Sequence, residues 1–235
     1  MSNLRIALVA EGITDYVIIE AALKAILPRS FVLTLLQPEA TRFDLGGGWG
    51  GVLKWCKEFR ARGVGSLEAD PTLEQFHLII IHLDADVADK SYTNYGLQTA
   101  TDAATFSWSA LPCALPCPPP DATVNNLQSV LLSWLGMKAN GNRTALCIPS
   151  KSSEAWLATA VFPSDQGLLA DIECAMDMEN RLVQLPKQQR IRKTSREYKS
   201  HAATMTSRWN GVRQLCSRAN AFHHDVDAIA QTLPT

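Results

Sequence analysis

Two aspartates, Asp84 and Asp86, follow an apolar run in the stretch HLIIIHLDADVAD, residues 77–89. Like charges one residue apart at the end of a buried strand repel each other and lose hydration, which costs free energy. A divalent cation removes this conflict, because carboxylate oxygens are the ligands that Mg²⁺ prefers. A solvated strand end would account for the pair equally well when the pair is taken alone. His82 is two residues before Asp84 on the same side of the strand, and we interpret it as a core or supporting histidine rather than a ligand.

A second acidic group follows the first apolar run of the chain. LRIALVA (4–10) is typical of a buried strand, and EGITD comes directly after it. Glu11 is a candidate metal ligand or acid–base residue, and Gly12 is a candidate for close approach of the backbone to a phosphate. Asp15 is a candidate ligand, or alternatively a charge in the first helical turn that the helix dipole favours.

The order of the elements predicts an α/β fold with a mainly parallel, Rossmann-like sheet flanked by helices. Strands are predicted at 4–10, 31–38, 76–86 and 144–150, and helices at 16–27, 52–63, 123–136 and 152–162. Thr14 is the predicted N-cap of the first helix, and a serine is the predicted cap of the helix at 152–162. Ligands of such sheets bind at the carboxyl ends of the strands, so both acidic groups are expected to face one cleft.

The domain organisation follows from where these patterns stop. Residues 1–164 form the predicted α/β catalytic domain, and the proline-rich stretch at 88–122 is expected to be an irregular insertion. Residues 165–235 are expected to form a helical, basic C-terminal extension. GGGWGG (46–51) lacks the Gly-Lys-Ser/Thr ending of a phosphate loop, so it is interpreted as a flexible connection. Its backbone meeting nucleic acid is the alternative, with Trp49 either stacked on a base or packed on the domain.

The C-terminal region contains a cluster of cations between residues 187 and 199. The cluster consists of Lys187, Arg190, Arg192, Lys193, Arg196 and Lys199. Because the whole chain has a formal net charge of only −1, this is a local asymmetry. It is typical of a solvated helical face or of a surface that binds a phosphate backbone, and we favour the second interpretation. Nucleic-acid contacts are therefore assigned to Arg190, Arg192, Lys193, Arg196 and Lys199.

The six cysteines are scattered, and no apolar run is long enough to span a bilayer. Met1 leads almost directly into a strand-like run without a signal peptide, so a cytoplasmic protein with reduced thiols and no membrane contact is expected. Cys113 and Cys117 have the spacing of half a zinc site. No second pair of ligands follows at the spacing of a zinc finger, which disfavours zinc.

The stretches LVAEGITDYVIIEAAL and IIIHLDAD together resemble the Toprim domain, which topoisomerases, primases and the OLD and RecR families share. The shared marks are a Glu-Gly pair after the first strand and an Asp-x-Asp motif after a later strand. The resemblance covers residues 4–90. SKSSEAWLATAVF (150–162) resembles the segment after the Toprim core in small stand-alone proteins of the DUF4276 and RloB types. Ala10 stands where the family usually has a larger hydrophobic residue.

This resemblance implies a metal-dependent nuclease that hydrolyses phosphodiester bonds of DNA or RNA with Mg²⁺ or Mn²⁺. The implied catalytic residues are Glu11, Asp84, Asp86 and Lys151, and the implied metal ligands are Glu11, Asp15, Asp84, Asp86 and Glu154. Glu154 alternatively is a first-turn helix charge, and Lys151 a surface lysine. By family analogy alone, the protein would act in prokaryotic anti-phage defence, with an ATPase or another defence protein as its partner.

Three alternatives remain open from the sequence. An apolar strand that ends in Asp-x-Asp is also found in Mn²⁺-dependent glycosyltransferases, but that class leaves EGITD unexplained. A phosphatase of the haloacid dehalogenase type usually has its aspartates on the first strand, and has Thr or Val where this chain has Ala88. The third alternative is a non-catalytic Toprim-like module that binds nucleic acid for a partner ATPase.

Overall fold

A computed structural model describes residues 3–39 and 46–233 of the chain. These residues form an α/β fold around a four-stranded sheet with the order β2-β1-β3-β4, in which every pair of neighbours is parallel. The predicted fold class is therefore confirmed. The strands are β1 (Leu4–Val9), β2 (Phe31–Gln37), β3 (Leu78–His82) and β4 (Thr144–Cys147).

The helices of the described residues surround this sheet. They are α1 (Ile13–Ile26), α2 (Gly48–Ala61), α3 (Leu97–Thr105), α4 (Asp121–Leu135), α5 (Glu154–Val161), α6 (Met178–Gln184), α7 (Ser195–Leu215) and α8 (Ser217–Thr232). α1 ends just before the Leu27–Pro28 pair, since a residue that precedes proline avoids the helical conformation. α4 ends at Gly136, whose φ of 69° suits a left-handed helix cap.

The sheet separates two apolar layers, because alternate side chains of each strand point to opposite faces. Ile6 and Leu8 of β1 pack into the layer formed with α1, α5, α7 and α8. Ala7 and Val9 pack into the layer formed with α2 and α4. The β1–β2 connection therefore crosses one face of the sheet through α1, and the β3–β4 connection crosses the other face through α4. The neighbouring ends of β1 and β3 form the topological switch point, where a crevice opens at the carboxyl edge of such a sheet.

The C-terminal helices belong to the same core as the sheet. α7 packs on α1 and α5, and Trp209 of α7 has its ring centroid 5.5 Å from that of Trp156 in α5. Phe222 of α8 stacks on Trp156 with its ring centroid at 5.9 Å. Within residues 165–233, the helices α6, α7 and α8 form the predicted helical C-terminal region, and α7 and α8 cover one face of the sheet.

Several local predictions are wrong. α1 begins at Ile13 with Gly12 as its N-cap residue, so Thr14 lies inside the helix instead of capping it. The predicted loop at 46–51 is helical from Gly48 onward. The stretch at 88–122, predicted to be irregular, contains α3 and the 3₁₀ helix Tyr92–Tyr95. None of the side chains of α3 is fully buried, so the segment has no fully buried apolar stripe of the kind that marks the core helices.

The glycine-rich start of α2 is explained by close packing. A Cβ atom on Gly50 would lie 1.8 Å from the Tyr95 ring, and one on Gly51 would lie 2.3 Å from the Gln37 side-chain nitrogen. The Gly48 N–H also donates to the main-chain oxygen of Glu11 at 2.8 Å. Gly50 and Gly51 thus allow α2 to pack closely on Tyr95 and Gln37. The segment is therefore a packed helix start and not the flexible connection that was predicted.

The cysteines differ from the sequence-based expectation. Cys117 and Cys174 form a disulfide, whereas reduced thiols were predicted throughout. This bond ties the 88–122 stretch to the segment that precedes α6, and it removes Cys117 from any zinc site with Cys113. No helix of the described residues is long and apolar enough to cross a membrane.

Candidate metal site

The switch point brings together acidic side chains from two strand ends. Asp15 and Asp84, together with His82 at the end of β3, each offer one ligand atom, and these atoms all lie within 4.8 Å of one another. All three residues are buried. Glu11 lies next to this group, since its Oε1 accepts a hydrogen bond of 2.8 Å from the Asp84 N–H. Residues that are 73 positions apart in the sequence thus meet at one point.

Each of the three carboxylates is held through one of its oxygens. Glu11 Oε1 accepts from the Asp84 N–H, and Asp84 Oδ1 accepts from the Ser153 N–H at 3.0 Å. Asp15 Oδ1 accepts from the Ser153 hydroxyl at 2.6 Å. The second oxygen of each carboxylate makes no hydrogen bond within residues 3–39 and 46–233. Ser153 therefore aligns two carboxylates while leaving one oxygen of each available as a ligand.

His82 contributes the positive charge at the centre of this group. Its Nε2 lies 3.2 Å from Asp84 Oδ1, and the ring is completely buried. Neither ring nitrogen is aligned for a hydrogen bond with the described residues, so the contact is an ion pair without a directed bond. Burial lowers the pKa of His82, but the charges of Asp15 and Asp84 outweigh it and raise that pKa from 6.5 to about 9.

Crowding and burial perturb the carboxyl groups strongly. Burial, and then the charge of Asp84, raise the pKa of Glu11 well above its ordinary value. Burial raises the pKa of Asp84 from 3.8 to about 7, although His82 acts in the opposite direction. Perturbed carboxyl groups that converge in a crevice are typical of functional sites. Without a bound cation, this arrangement opposes the ionisation of its own carboxylates.

The donor set fits one divalent cation. Opposite ligands of an octahedral ion, each at about 2.1 Å from it, are about 4.2 Å apart, which agrees with ligand atoms within 4.8 Å of one another. The buried ring nitrogens of His82 lack hydrogen-bond partners, so the side chain could complete such a site once the incoming cation displaces its proton. Carboxylate oxygens suit Mg²⁺ and Mn²⁺, and an imidazole ligand favours the softer of the two, Mn²⁺.

The Asp-x-Asp pair does not point in one direction. β3 ends at His82, and the 3₁₀ helix Ala85–Asp89 begins directly after Asp84. The N–H of Asp86 donates to the Lys151 main-chain oxygen at 3.1 Å, which ties this turn to the segment after β4. The Asp86 carboxyl group is half-buried and makes no hydrogen bond within the described residues; burial raises its pKa. Asp86 thus lies beside the Asp15–His82–Asp84 group without belonging to it.

The other two predicted site residues, Glu154 and Lys151, have partners of their own. Glu154 in the first turn of α5 accepts a hydrogen bond from the Tyr198 hydroxyl at 2.9 Å. Its Oε1 also lies 3.1 Å from Lys193 Nζ. Burial favours the neutral acid, but Lys193 outweighs it and holds the pKa of Glu154 below its ordinary value. Lys151 is 8% exposed, and its Nζ lies 3.3 Å from Asp89 Oδ2.

The cations of the basic segment fall into two groups. The side chains of Arg190, Arg192, Arg196 and Lys199 are exposed. Lys193 instead points toward Glu154 and Glu179, and its charge reaches Asp86. One member of the predicted nucleic-acid surface is therefore directed toward the carboxylates.

Gly12 and Trp49 lie close to the site and have structural roles. Gly12 has a φ of −153°, an extended conformation that any residue adopts, so the backbone conformation does not require glycine there. A Cβ atom at Gly12 would lie 3.4 Å from Asp15 Oδ2 and would occupy the space beside that oxygen. Trp49 packs on Tyr95 and Trp134, at centroid distances of 5.2 and 6.2 Å.

Sequence reasoning missed Ser153 and Tyr198 and gave His82 a lesser role. Ser153 was expected to cap α5, and it occupies the N-cap position, but its hydroxyl bonds Asp15 instead. The serine pair before Glu154 was the available signal for this role. For Tyr198, which lies 44 residues after its partner Glu154, the sequence gives no signal.

Comparison of the chain with protein-family models, curated proteins and solved structures gives no match.

Proposed function

We propose that the protein is a metal-dependent phosphodiesterase that cleaves nucleic acid at the carboxyl edge of its sheet. The observation that carries this proposal is the meeting of Asp15, His82 and Asp84 at the switch point, with Glu11 beside them. These residues would hold one Mg²⁺ or Mn²⁺ ion. When bound, the ion would supply charge neutralisation for a phosphate and a lowered pKa for a bound water.

The chain's own residues supply the remaining functions. Burial raises the pKa of Glu11 well above its ordinary value, which makes Glu11 the candidate to exchange a proton as the acid–base group. Ser153 keeps Asp15 and Asp84 aligned through its hydroxyl and its N–H. Lys151 is nearly buried at the rim of the site and is a candidate to bind a non-bridging phosphate oxygen in exchange for Asp89.

The exposed cations of the basic segment favour a polyanion as the substrate. Arg192 and Arg196 flank Lys193, which reaches Glu154 beside the acidic group. A phosphate backbone bound along this segment would be led toward the carboxylates, whose own charge would otherwise repel it. A nucleotide-sugar substrate needs no such extended basic surface, and a glycosyltransferase leaves Glu11 and Asp15 without a role.

The direct test is a cleavage assay with matched variants. The assay incubates each protein with plasmid, linear duplex DNA, single-stranded DNA and RNA. The proteins are wild type, Asp84→Asn, Glu11→Gln and the exposed-acid control Glu74→Gln. Each substrate is tested with Mg²⁺, Mn²⁺, Ca²⁺ and EDTA. We expect cleavage that requires Mg²⁺ or Mn²⁺, that is lost in the first two variants and that is unchanged in Glu74→Gln.

Two results would contradict this proposal. Cleavage that survives in Asp84→Asn would exclude the assigned site. Binding of nucleic acid without cleavage under every condition would favour a non-catalytic module, and turnover of a UDP-sugar would favour the glycosyltransferase.

The nucleic-acid surface is tested separately by Arg192→Glu/Arg196→Glu. We expect this variant to bind nucleic acid more weakly, with a salt dependence whose slope falls by about one for each lost phosphate contact. Thermal stability should be unchanged, since both side chains are exposed. Unaltered binding would show that the polyanion approaches from another side.

A further inference from the structure

The Lys193 side chain points away from the other cations of the basic segment and toward two carboxylates. Its Nζ lies 3.1 Å from Glu154 Oε1 and 3.2 Å from Glu179 Oε2, so two carboxylates share one ammonium group. The side chain remains 38% exposed. Contacts of this kind are absent from the described surroundings of Lys199, which lies on the exposed side of α7. Lys193 is therefore placed for a role that differs from that of its neighbours.

Glu154 requires a positive charge at this place. The residue is 1% exposed, and a buried ionised carboxylate is costly unless it is paired. Its Oε1 contacts the Tyr198 hydroxyl and Lys193 Nζ. Its Oε2 is buried without a hydrogen-bond partner in the described part of the chain. An unsatisfied carboxylate oxygen of this kind is the arrangement that a metal ion would complete if the ammonium were absent.

The acidic residues at this edge of the sheet thus form two neighbouring sets. Asp15, His82 and Asp84 have ligand spacing, and they are the group of this kind found in residues 3–39 and 46–233. Glu154 and Glu179 instead enclose an ammonium. Many phosphodiesterases use two cations about 3.5–4 Å apart to stabilise the attacking and the leaving oxygen. In this protein, the Lys193 ammonium already lies between Glu154 and Glu179.

We infer that the site takes a single divalent cation, at Asp15, His82 and Asp84, and that the Lys193 ammonium replaces a second cation between Glu154 and Glu179. This inference rests on the proposed function and specifies its metal stoichiometry. A covalently attached charge does not dissociate, so the substrate-facing positive charge would be present before metal binds. The dependence of cleavage rate on metal concentration should then be non-cooperative.

The number of bound ions tests the inference without any assay of activity. Mn²⁺ binding to the full chain is counted by electron paramagnetic resonance for wild type, Lys193→Met, Lys193→Arg and the exposed control Lys199→Met. We expect one ion for wild type, Lys193→Arg and Lys199→Met. Lys193→Met should bind a second, weaker ion, because Glu154 and Glu179 have lost their shared cation. Adding Glu154→Gln to Lys193→Met should remove that second ion.

The opposite counts overturn the inference. Two Mn²⁺ ions in wild type would show that Lys193 replaces nothing, and one ion in folded Lys193→Met would show that the carboxylates bind no cation there. If Lys193→Met does not fold without metal, excess Mn²⁺ must restore its folded state, and failure of this rescue also overturns the inference.

The outcomes separate the inference from the proposed function. If wild type binds one Mn²⁺ ion, Lys193→Met binds two, and neither protein cleaves a phosphodiester, the inference stands and the proposed nuclease function is wrong. If wild type is a metal-dependent nuclease but binds two Mn²⁺ ions, the proposed function stands and the inference is wrong. Absence of Mn²⁺ binding contradicts both.

Discussion

Asp84→Asn should stabilise the metal-free protein while abolishing its response to metal. The substitution removes one negative charge from a crowded group and keeps an Oδ1 acceptor for the Ser153 N–H. Burial raises the pKa of Asp84 from 3.8 to about 7, which corresponds to a cost of about 4 kcal/mol for the ionised form, at 1.36 kcal/mol per pH unit. This pKa already includes the ion pair with His82, so it is the burial of an amide that reduces the gain, to about 1–3 kcal/mol.

The stability difference between Asp84→Asn and wild type should depend on pH. The pKa of Asp84 is higher in the folded state than in the unfolded chain, so folding favours the protonated form. The cost of ionisation is absent below about pH 4 and complete above about pH 7. The advantage of Asp84→Asn over wild type should therefore grow between these values and be largest near pH 8. For a chain of this size it amounts to a rise in melting temperature of about 2–10 °C.

The assay is thermal unfolding of metal-free wild type, Asp84→Asn and Glu74→Gln across this pH range, followed by addition of Mn²⁺. At a hundredfold excess over the Kd, wild type should gain about 2.7 kcal/mol, whereas Asp84→Asn should gain nothing. A melting temperature of Asp84→Asn below that of wild type at pH 8 would refute the argument that the carboxylates oppose one another. Equal stabilisation of both proteins by Mn²⁺ would refute Asp84 as a ligand.

Three further predictions concern residues that support the site. Ser153→Ala should weaken Mn²⁺ binding by about 10–100-fold, the usual effect of losing a bond that orients a ligand, with little change in melting temperature; unchanged affinity in a Mn²⁺ titration would contradict it. Tyr198→Phe should lower the free energy of unfolding in urea by about 1.5–3 kcal/mol, because the ionised Glu154 loses a buried hydrogen bond; a neutral effect would mean that Glu154 is protonated. Peptide mapping without reductant should find Cys117 linked to Cys174, and reduction should cost about 2–4 kcal/mol of stability; alkylation of both thiols in the native protein would exclude the bond.

The sheet and its acidic edge were predictable because they depend on local patterns. Continuous apolar runs indicate strands buried on both faces, and β1 and β3 lie within the predicted runs. The carboxyl ends of parallel strands share one edge, so Glu11 and Asp84 could be expected to approach each other before any contact was known. The position of the candidate ligand site was also predictable, since ligands of these folds bind at that edge of the sheet.

The supporting contacts were not predictable, because they join distant residues through tertiary structure. Ser153 and Asp15 are 138 positions apart, and their hydrogen bond depends on how α5 meets α1. Cationic residues of a basic segment look alike in a sequence, so the turning of Lys193 toward Glu154 is decided only by the packing of α7. The Cys117–Cys174 bond likewise depends on the path of the chain, which cysteine spacing does not specify.

The carboxylates at this edge of the sheet differ in how their negative charge is balanced. Glu11, Asp15 and Asp84 converge in a buried crevice, and His82 supplies a single positive charge among them. One imidazolium cannot balance three ionised carboxylates. Burial first, and then the charge of neighbouring carboxylates, raise the pKa values of Glu11 and Asp84. Glu154, by contrast, has a lowered pKa because Lys193 is attached to the same chain and is always present. Under the proposed function, the carboxylates with raised pKa values are those that would bind the external cation, and Glu154 is the one that Lys193 already neutralises.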